Sequence, residues 1–390
     1  MPSSTPNPRP GWDALTHRRS RPIEALAEKA IFMVSLSAIV MVFLIFLFIA
    51  REALPVALGR TDSARVGKVL APAEFGALPE KELRAYLGLS AKEFKSMDQA
   101  TLKELMVVKA EAAAEVPNDK DAALNTTSWR MMLRPYQWSD YDKPEYIWQP
   151  VSPIHKYNLV PLFIGSLKVT FVALLFGVPL ALGAAIYVSQ LASPGLREWI
   201  KPGIELLAGI PSVILGFFAM IVMATVLQRI LGTESRLNAF VAGLALALAV
   251  IPVVFSIAED ALTSVPRSFT HAALALGSSK WQAAWRIVLP IASPGVFAAV
   301  VLGFGRAIGE TMIVLLASGN ASIVSGSLFD STRTMTAAIA SELLETVFSG
   351  NHYRVLFLIG ALLFLVTFLS NLAADAVIHR LKNRLEGKVA

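Results

Sequence analysis

Arg306 and Glu310 stand four residues apart in a stretch, Ile291–Ala317, that carries no other charge. On a continuous helix that spacing puts both side chains on one face. A charge at bilayer depth is costly and usually turns toward the protein interior or a water-filled cavity, so the pair is a functional candidate. The competing reading is an internal ion pair that only neutralises itself. Gly303, Gly305 and Gly309 would let a neighbouring helix approach closely in either case. Lys168 is a weaker candidate, near the outer end of another apolar stretch where its ammonium can snorkel. Glu205 reads as structural, at the start of an apolar span interrupted at Pro211-Ser212, packing that span against the polar loop after the fourth span. Zero cysteines exclude disulfides, thiolate nucleophiles and Cys-ligated metals, and the five histidines show no metal-ligand spacing.

These charges require a membrane around them. Of 390 residues, 55% are apolar and 16% charged, against roughly a quarter charged in a soluble domain. The formal charge of +6 follows from basic residues flanking apolar spans. Nothing resembles a nucleic-acid module, so nucleic acid is not an expected partner.

The expected spans are Ala30–Ala50, Leu159–Gln190, Leu206–Leu227, Leu237–Ala258, Ile291–Ala317 and Val355–Ala374, each near the 20 or so residues a bilayer requires. The first exceeds a signal-peptide core and has no convincing cleavage site, so it reads as an uncleaved helix. Residues 1–29 form a basic leader with Arg9, Arg18, Arg19, Arg21 and Lys29. Residues 51–156 are a polar insertion, too long for an ordinary loop. Within it, Ser90–Ala114 reads as surface helix, and Asn118–Pro150 is aromatic and turn-rich. Residues 157–378 form a core of five further spans, and 379–390 a basic tail. Lys and Arg in short flanks (Arg197 and Lys201; Arg267, Lys280 and Arg286; Arg380, Lys382, Arg384 and Lys388) outnumber those of the opposite loops. That bias puts both termini in the cytoplasm and the insertion outside.

The segment Glu259–Pro290, between spans four and five, predicts two short helices broken at Gly277. Small Ala272 and Ala273 would let another protein's surface approach, Pro290 would mark the start of the next span, and Trp281 and Trp285, one turn apart, suit a headgroup boundary. The spacing His271-Ala272-Ala273, then Gly277, then Ile287-Val288-Leu289-Pro290 resembles the EAA loop of ABC importer permeases. It matches except at the first position, where His271 replaces Glu. The resemblance implies that residues around His271–Gly277 form a coupling helix seated in a groove of an ATPase subunit. No P-loop motif occurs in the chain, so ATP and Mg would be bound by separate ATPase chains, with no cofactor in this chain and no enzymatic activity of its own.

Gly305-Arg306-Ala307-Ile308-Gly309-Glu310-Thr311-Met312 looks like the signature of phosphate-specific ABC permeases, the C-type subunit in particular. Ile204-Glu205-Leu206-Leu207-Ala208-Gly209-Ile210-Pro211-Ser212-Val213 is similar to that subunit too. The resemblance spans about residues 148–375. It implies an all-α integral membrane protein of about six transmembrane helices, with the type I ABC importer permease fold and a polar extracytoplasmic insertion, in a bacterial inner membrane. It further implies a homologous second permease in a heterodimer, two ATPase subunits and a periplasmic phosphate-binding protein, besides membrane lipid. Arg306, Glu310 and Thr311 would line the substrate pathway. An Arg offers bidentate hydrogen bonds to phosphate oxygens, and Glu310 would hold Arg306 until the anion exchanges with it. The insertion would contact the binding protein or be a family-variable decoration. A permease for sulfate or molybdate, and a mainly phosphate-sensing subunit, are the alternative functions. A membrane enzyme is disfavoured, because the spans hold no catalytic set.

Overall fold

Six helices among the described residues are long and apolar enough to cross a membrane in the computed structural model: Leu26–Ala57, Val160–Leu191, Ser212–Leu231, Ala239–Thr263, Lys280–Gly309 and Asn351–Asn383. The structure describes residues 22–59, 83, 84, 94, 97–114, 121, 124–152, 154–348, 350–385 and 387. Most of the expected leader, much of the insertion and the end of the tail therefore lie outside the described residues.

In chain order the helices are α1 (Pro22–Ala57), α2 (Gln99–Ala114) and α3 (Trp129–Leu133). A two-stranded antiparallel ribbon follows, β1 (Trp148–Gln149) with β2 (Lys156–Tyr157). Span two is α4 (Val160–Ile186) with a π turn to Leu191, and α5 (Pro194–Ala208) is a separate short helix. Span three comprises α6 (Ser212–Phe218), a π turn and α7 (Ala224–Leu231); span four is α8 (Ala239–Thr263). The loop helix α9 (Arg267–Ala275) precedes span five, built from α10 (Lys280–Ala283), a π turn and α11 (Leu289–Gly309). Two short helices, α12 (Met312–Ala317) and α13 (Met335–Glu342), lead to the last span, α14 (Asn351–Leu385).

Most spans run past their uncharged cores because a helix continues into the hydrated interface, where polar side chains cost little. Two boundaries differ in kind. Span three begins at Ser212, not Leu206, because Pro211 is extended (φ −57°, ψ 136°) and separates α5 from α6. Span five begins at Lys280 and ends at Gly309. Pro290 therefore lies within a continuous helical rod rather than at its start: an interior proline cannot donate to the carbonyl one turn back, and the π turn Ala284–Val288 just before it shifts the hydrogen-bond register so that the rod continues.

The chain divides into two compact units, Met1–Ile49 and Ala50–Ala390. In the first, the described residues are the helical run of α1. The second is organised on α8, whose buried face packs on α4 and α11 through small residues. A Cβ at Gly177 would lie 3.4 Å from Ala247, one at Gly243 would strike Val172, and one at Gly303 would strike Val254. Lipid tails are as apolar as leucine, so burial alone does not drive helix association here. Close backbone approach and dispersion do so instead. Of the three glycines expected to serve this end, Gly303 does, whereas Gly305 and Gly309 face open space.

Candidate functional site

Arg306 and Glu310 do not share a helix face. The α11 helix ends at Gly309, and Glu310 is extended (φ −68°, ψ 137°). Its carboxylate Oε1 accepts hydrogen bonds from the backbone N–H groups of Thr311 and Met312, each at 3.1 Å. Glu310 thus satisfies donors that the start of α12 would otherwise leave open, a strong local preference for an anion. Its own carbonyl accepts from Thr336 Oγ1 at 2.8 Å, which joins the bend to the first turn of α13. Thr311 is half-buried at the bend, its hydroxyl 3.4 Å from the Gly309 carbonyl. The expected Arg306–Glu310 pair is absent, and Arg306 is exposed without a hydrogen-bond or ion-pair partner among the described residues. An uncompensated guanidinium in the last turn of α11 is favourably placed with respect to the helix dipole. No described residue takes up its planar fork of donors, a geometry that in general matches carboxylate and phosphate oxygens.

Lys168 is committed elsewhere: its Nζ donates to the Ser327 carbonyl at 2.8 Å, pinning the loop that follows α12. That loop also supplies the Leu328 and Asp330 carbonyls to the N–H groups of Phe240 and Ala239 at the start of α8.

At the opposite end of the spans, the loop expected to form two helices broken at Gly277 does so, and Gly277 has φ +85°. Only a glycine adopts that conformation without strain. His271 and Ala272 are exposed on α9, and Leu276, which caps its C-terminus, is 88% exposed. Ala273, expected on the same open face, is buried and packs inward, since adjacent helical residues point about 100° apart. Ile287 and Leu289 are half-buried and Pro290 is exposed. Trp281 and Trp285 stack with ring centroids 5.9 Å apart on the exposed side.

Glu205 does not pack span three against this loop. It is exposed on α5, because the chain breaks at Gly209–Pro211 before the span begins. The carboxylate that joins α5 to α8 is Glu259, which sequence reasoning treated only as the first residue of a polar segment. Its side chain accepts from Arg197, from Lys201 Nζ at 2.8 Å and from Thr263 Oγ1 at 3.0 Å. The hydrogen bond to Glu259 holds the Lys201 ammonium's pKa above its ordinary value. A recognisable signal was present: Arg197 and Lys201 are spaced to share one helical face.

On the insertion side, Trp148 and Tyr157 of the ribbon belong to a buried cluster with Met132, Leu162, Met335 and Leu356. Trp148 Nε1 donates to Glu342 Oε1 at 3.1 Å, and Arg333 Nη2 lies 2.7 Å from the same oxygen. His352 Nε2 is 3.1 Å from Oε2 and its ring stacks on Tyr157. Burial pushes the Tyr157 hydroxyl's pKa up and the nearby His155 imidazole's down. Removing Glu342 would leave the Trp148 indole N–H without its acceptor and the Arg333 guanidinium without its counter-charge, its Nη2 keeping only the Ser341 hydroxyl. Glu342→Ala is therefore expected to destabilise the purified chain by about 3 kcal/mol, with Glu342→Gln affected less because it still accepts from Trp148. Thermal unfolding followed by tryptophan emission measures both.

Six apolar spans among the described residues, with an arginine that none of those residues neutralises beside a helix break and an exposed small-residue helix at one end, have the makings of a membrane-embedded transport component. Residues 160–386 match the family described as binding-protein-dependent transport system inner membrane component. The chain belongs to that family, and it is a multi-pass inner-membrane protein with the family's type I ABC permease fold. It is 33% identical over 260 residues to the phosphate transport system permease protein PstC of Pasteurella multocida, covering 62% of this chain and 80% of that one. To PstC of Xylella fastidiosa strain 9a5c it is 35% identical over 259 residues, covering 62% and 78%. A solved structure of the MetNI methionine ABC transporter, in an inward-facing conformation, covers 57% of this chain and 95% of its own, at 19% identity and TM-score 0.47.

Proposed function

We propose that this chain is the transmembrane permease subunit of an ATP-driven importer for inorganic phosphate. The observation that carries the reading is Arg306: a guanidinium at a helix end with no partner among the described residues, in a chain similar to phosphate permeases of several bacteria. The end bearing α5 and α9 faces the cytoplasm, in keeping with Arg197, Lys201, Arg267, Lys280 and Arg286 on that side. There the exposed face of α9 seats in an ATPase chain, and two such chains bind ATP and Mg. A homologous second permease completes a heterodimer, and a phosphate-binding protein delivers substrate to the opposite face. Arg306 and the Glu310–Thr311 bend line the pathway, while Pro211 and Ser212 form the break through which span three can pivot.

Uptake of radiolabelled phosphate in cells relying on this chain and its partners tests the substrate. Excess unlabelled phosphate is expected to block uptake, while excess sulfate or molybdate leaves it unchanged. Blockage by sulfate or molybdate would reassign the permease to another oxyanion. No uptake from a correctly assembled complex would favour a sensory role.

A further inference from the structure

We infer that Glu259 is a positioning residue through which movement of α9 reaches span three, so that ATP hydrolysis and substrate passage stay coupled. This rests on the reading of α9 as the ATPase contact. The Glu259 side chain has 0% exposure, and it lies one turn before α8 ends at Thr263. Only Ser264, Val265 and Pro266 separate that end from α9. Its cationic partners, Arg197 and Lys201, both project from α5, a helix with no fully buried residue. One stripe of α5, formed by Arg197, Ile200, Lys201 and Ile204, faces the core, with Ile200 and Ile204 packed against it. The far side leaves Trp199 82% exposed.

Ionic groups are a costly way to fasten such a helix. A buried carboxylate must be desolvated, and apolar side chains of similar volume commonly hold two helices at least as firmly as an ion pair does. What the charges add is direction: Glu259 receives one donor from each cation and a third from Thr263, which fixes the rotation and register of α5 on α8. Asp260 is largely exposed, with its Oδ1 3.8 Å from Lys201, and it contributes little to that fixing.

The α5 helix leads through the Gly209–Pro211 break into α6. In turn α6 packs on α12, where a Cβ at Gly216 would lie 3.1 Å from the Met312 carbonyl. The first N–H groups of α12 are those held by the Glu310 carboxylate. A path of chain links and contacts thus runs from α9 through the Ser264–Pro266 linker to Glu259, across its ion pairs to α5, and through α6 and α12 to the bend beside Arg306. A shift of α9 that carries the end of α8 with it must move α5 too, because the cluster does not permit sliding between them.

The test is the ratio of phosphate taken up to ATP hydrolysed, measured in proteoliposomes holding the assembled complex with its ATPase chains and loaded binding protein. Glu259→Gln keeps the shape and weakens the hold. It is expected to leave ATP hydrolysis within about twofold of the unaltered complex while uptake per ATP falls about tenfold, the size of a typical coupling between sites. Arg197→Gln combined with Lys201→Gln, both at partly exposed positions, should give the same loss and serves if Glu259→Gln fails to assemble. Asp260→Asn should leave the ratio unchanged. A normal ratio in whichever of the two variants assembles overturns the inference, as does a fall in uptake and hydrolysis together, which would mark a role in assembly alone. Failure of the underlying reading looks different: ATPase chains would remain bound to the permease when α9 is altered at Ala272.

Discussion

Arg306→Gln is expected to lower phosphate uptake to a few per cent of the unaltered level, while the complex assembles normally. The size follows from the interaction removed, since a charge-assisted, forked hydrogen bond to an anion is worth roughly 1.5–3 kcal/mol, or about 10- to 150-fold in rate. Assembly persists because Arg306 bonds no other described residue. Arg306→Lys should fall between the two, since it keeps the charge and loses the fork. Glu310→Gln should lower uptake only modestly: an amide oxygen can still accept from Thr311 and Met312, so the bend survives. A severe loss with Glu310→Gln would mean that the charge itself acts on the anion. Uptake undiminished in Arg306→Gln would remove Arg306 from the pathway.

The second large effect is expected at α9. Ala272→Arg places a long charged side chain on an exposed position where the chain itself has room for it. It should reduce ATPase chains co-purifying with the permease by about tenfold or more, because burying an unpaired charge at an interface costs several kcal/mol. Melting of the isolated permease should not change. Ala273→Arg should do the reverse and unsettle the permease itself, since that side chain is buried. Equal recovery of ATPase chains with Ala272→Arg would place the contact elsewhere on the loop.

The spans were legible because a bilayer demands a run of apolar residues and tolerates few charges. The left-handed turn at Gly277 was legible because a glycine at that spacing has a backbone reason to be there. What escaped was local geometry decided by hydrogen bonding. Hydropathy carries an apolar window straight through Ile291–Ala317. It does not register that a carboxylate at Glu310 can bond two forward N–H groups and so end one helix while starting another. The α5 break was half visible: Pro211 was identified, yet the uncharged run beginning at Leu206 hid which side of it the span lay on. Glu259 escaped because its partners come from 58 and 62 positions earlier, a distance over which periodicity is silent.

The bond between Trp148 and Glu342 joins residues 194 positions apart, which bears on how this protein is built as well as on how it stands. A ribosome feeding the membrane delivers Trp148, Tyr157 and Met132 long before Glu342 and His352 exist. The ribbon must therefore wait, its indole and phenol hydrated, while four further spans are threaded. The aromatic pocket closes only when α13 and α14 arrive, so its closure reports that those two helices are in place. A product truncated before α13 would leave that aromatic surface open, ready to be recognised as unfinished by the machinery that clears defective membrane proteins.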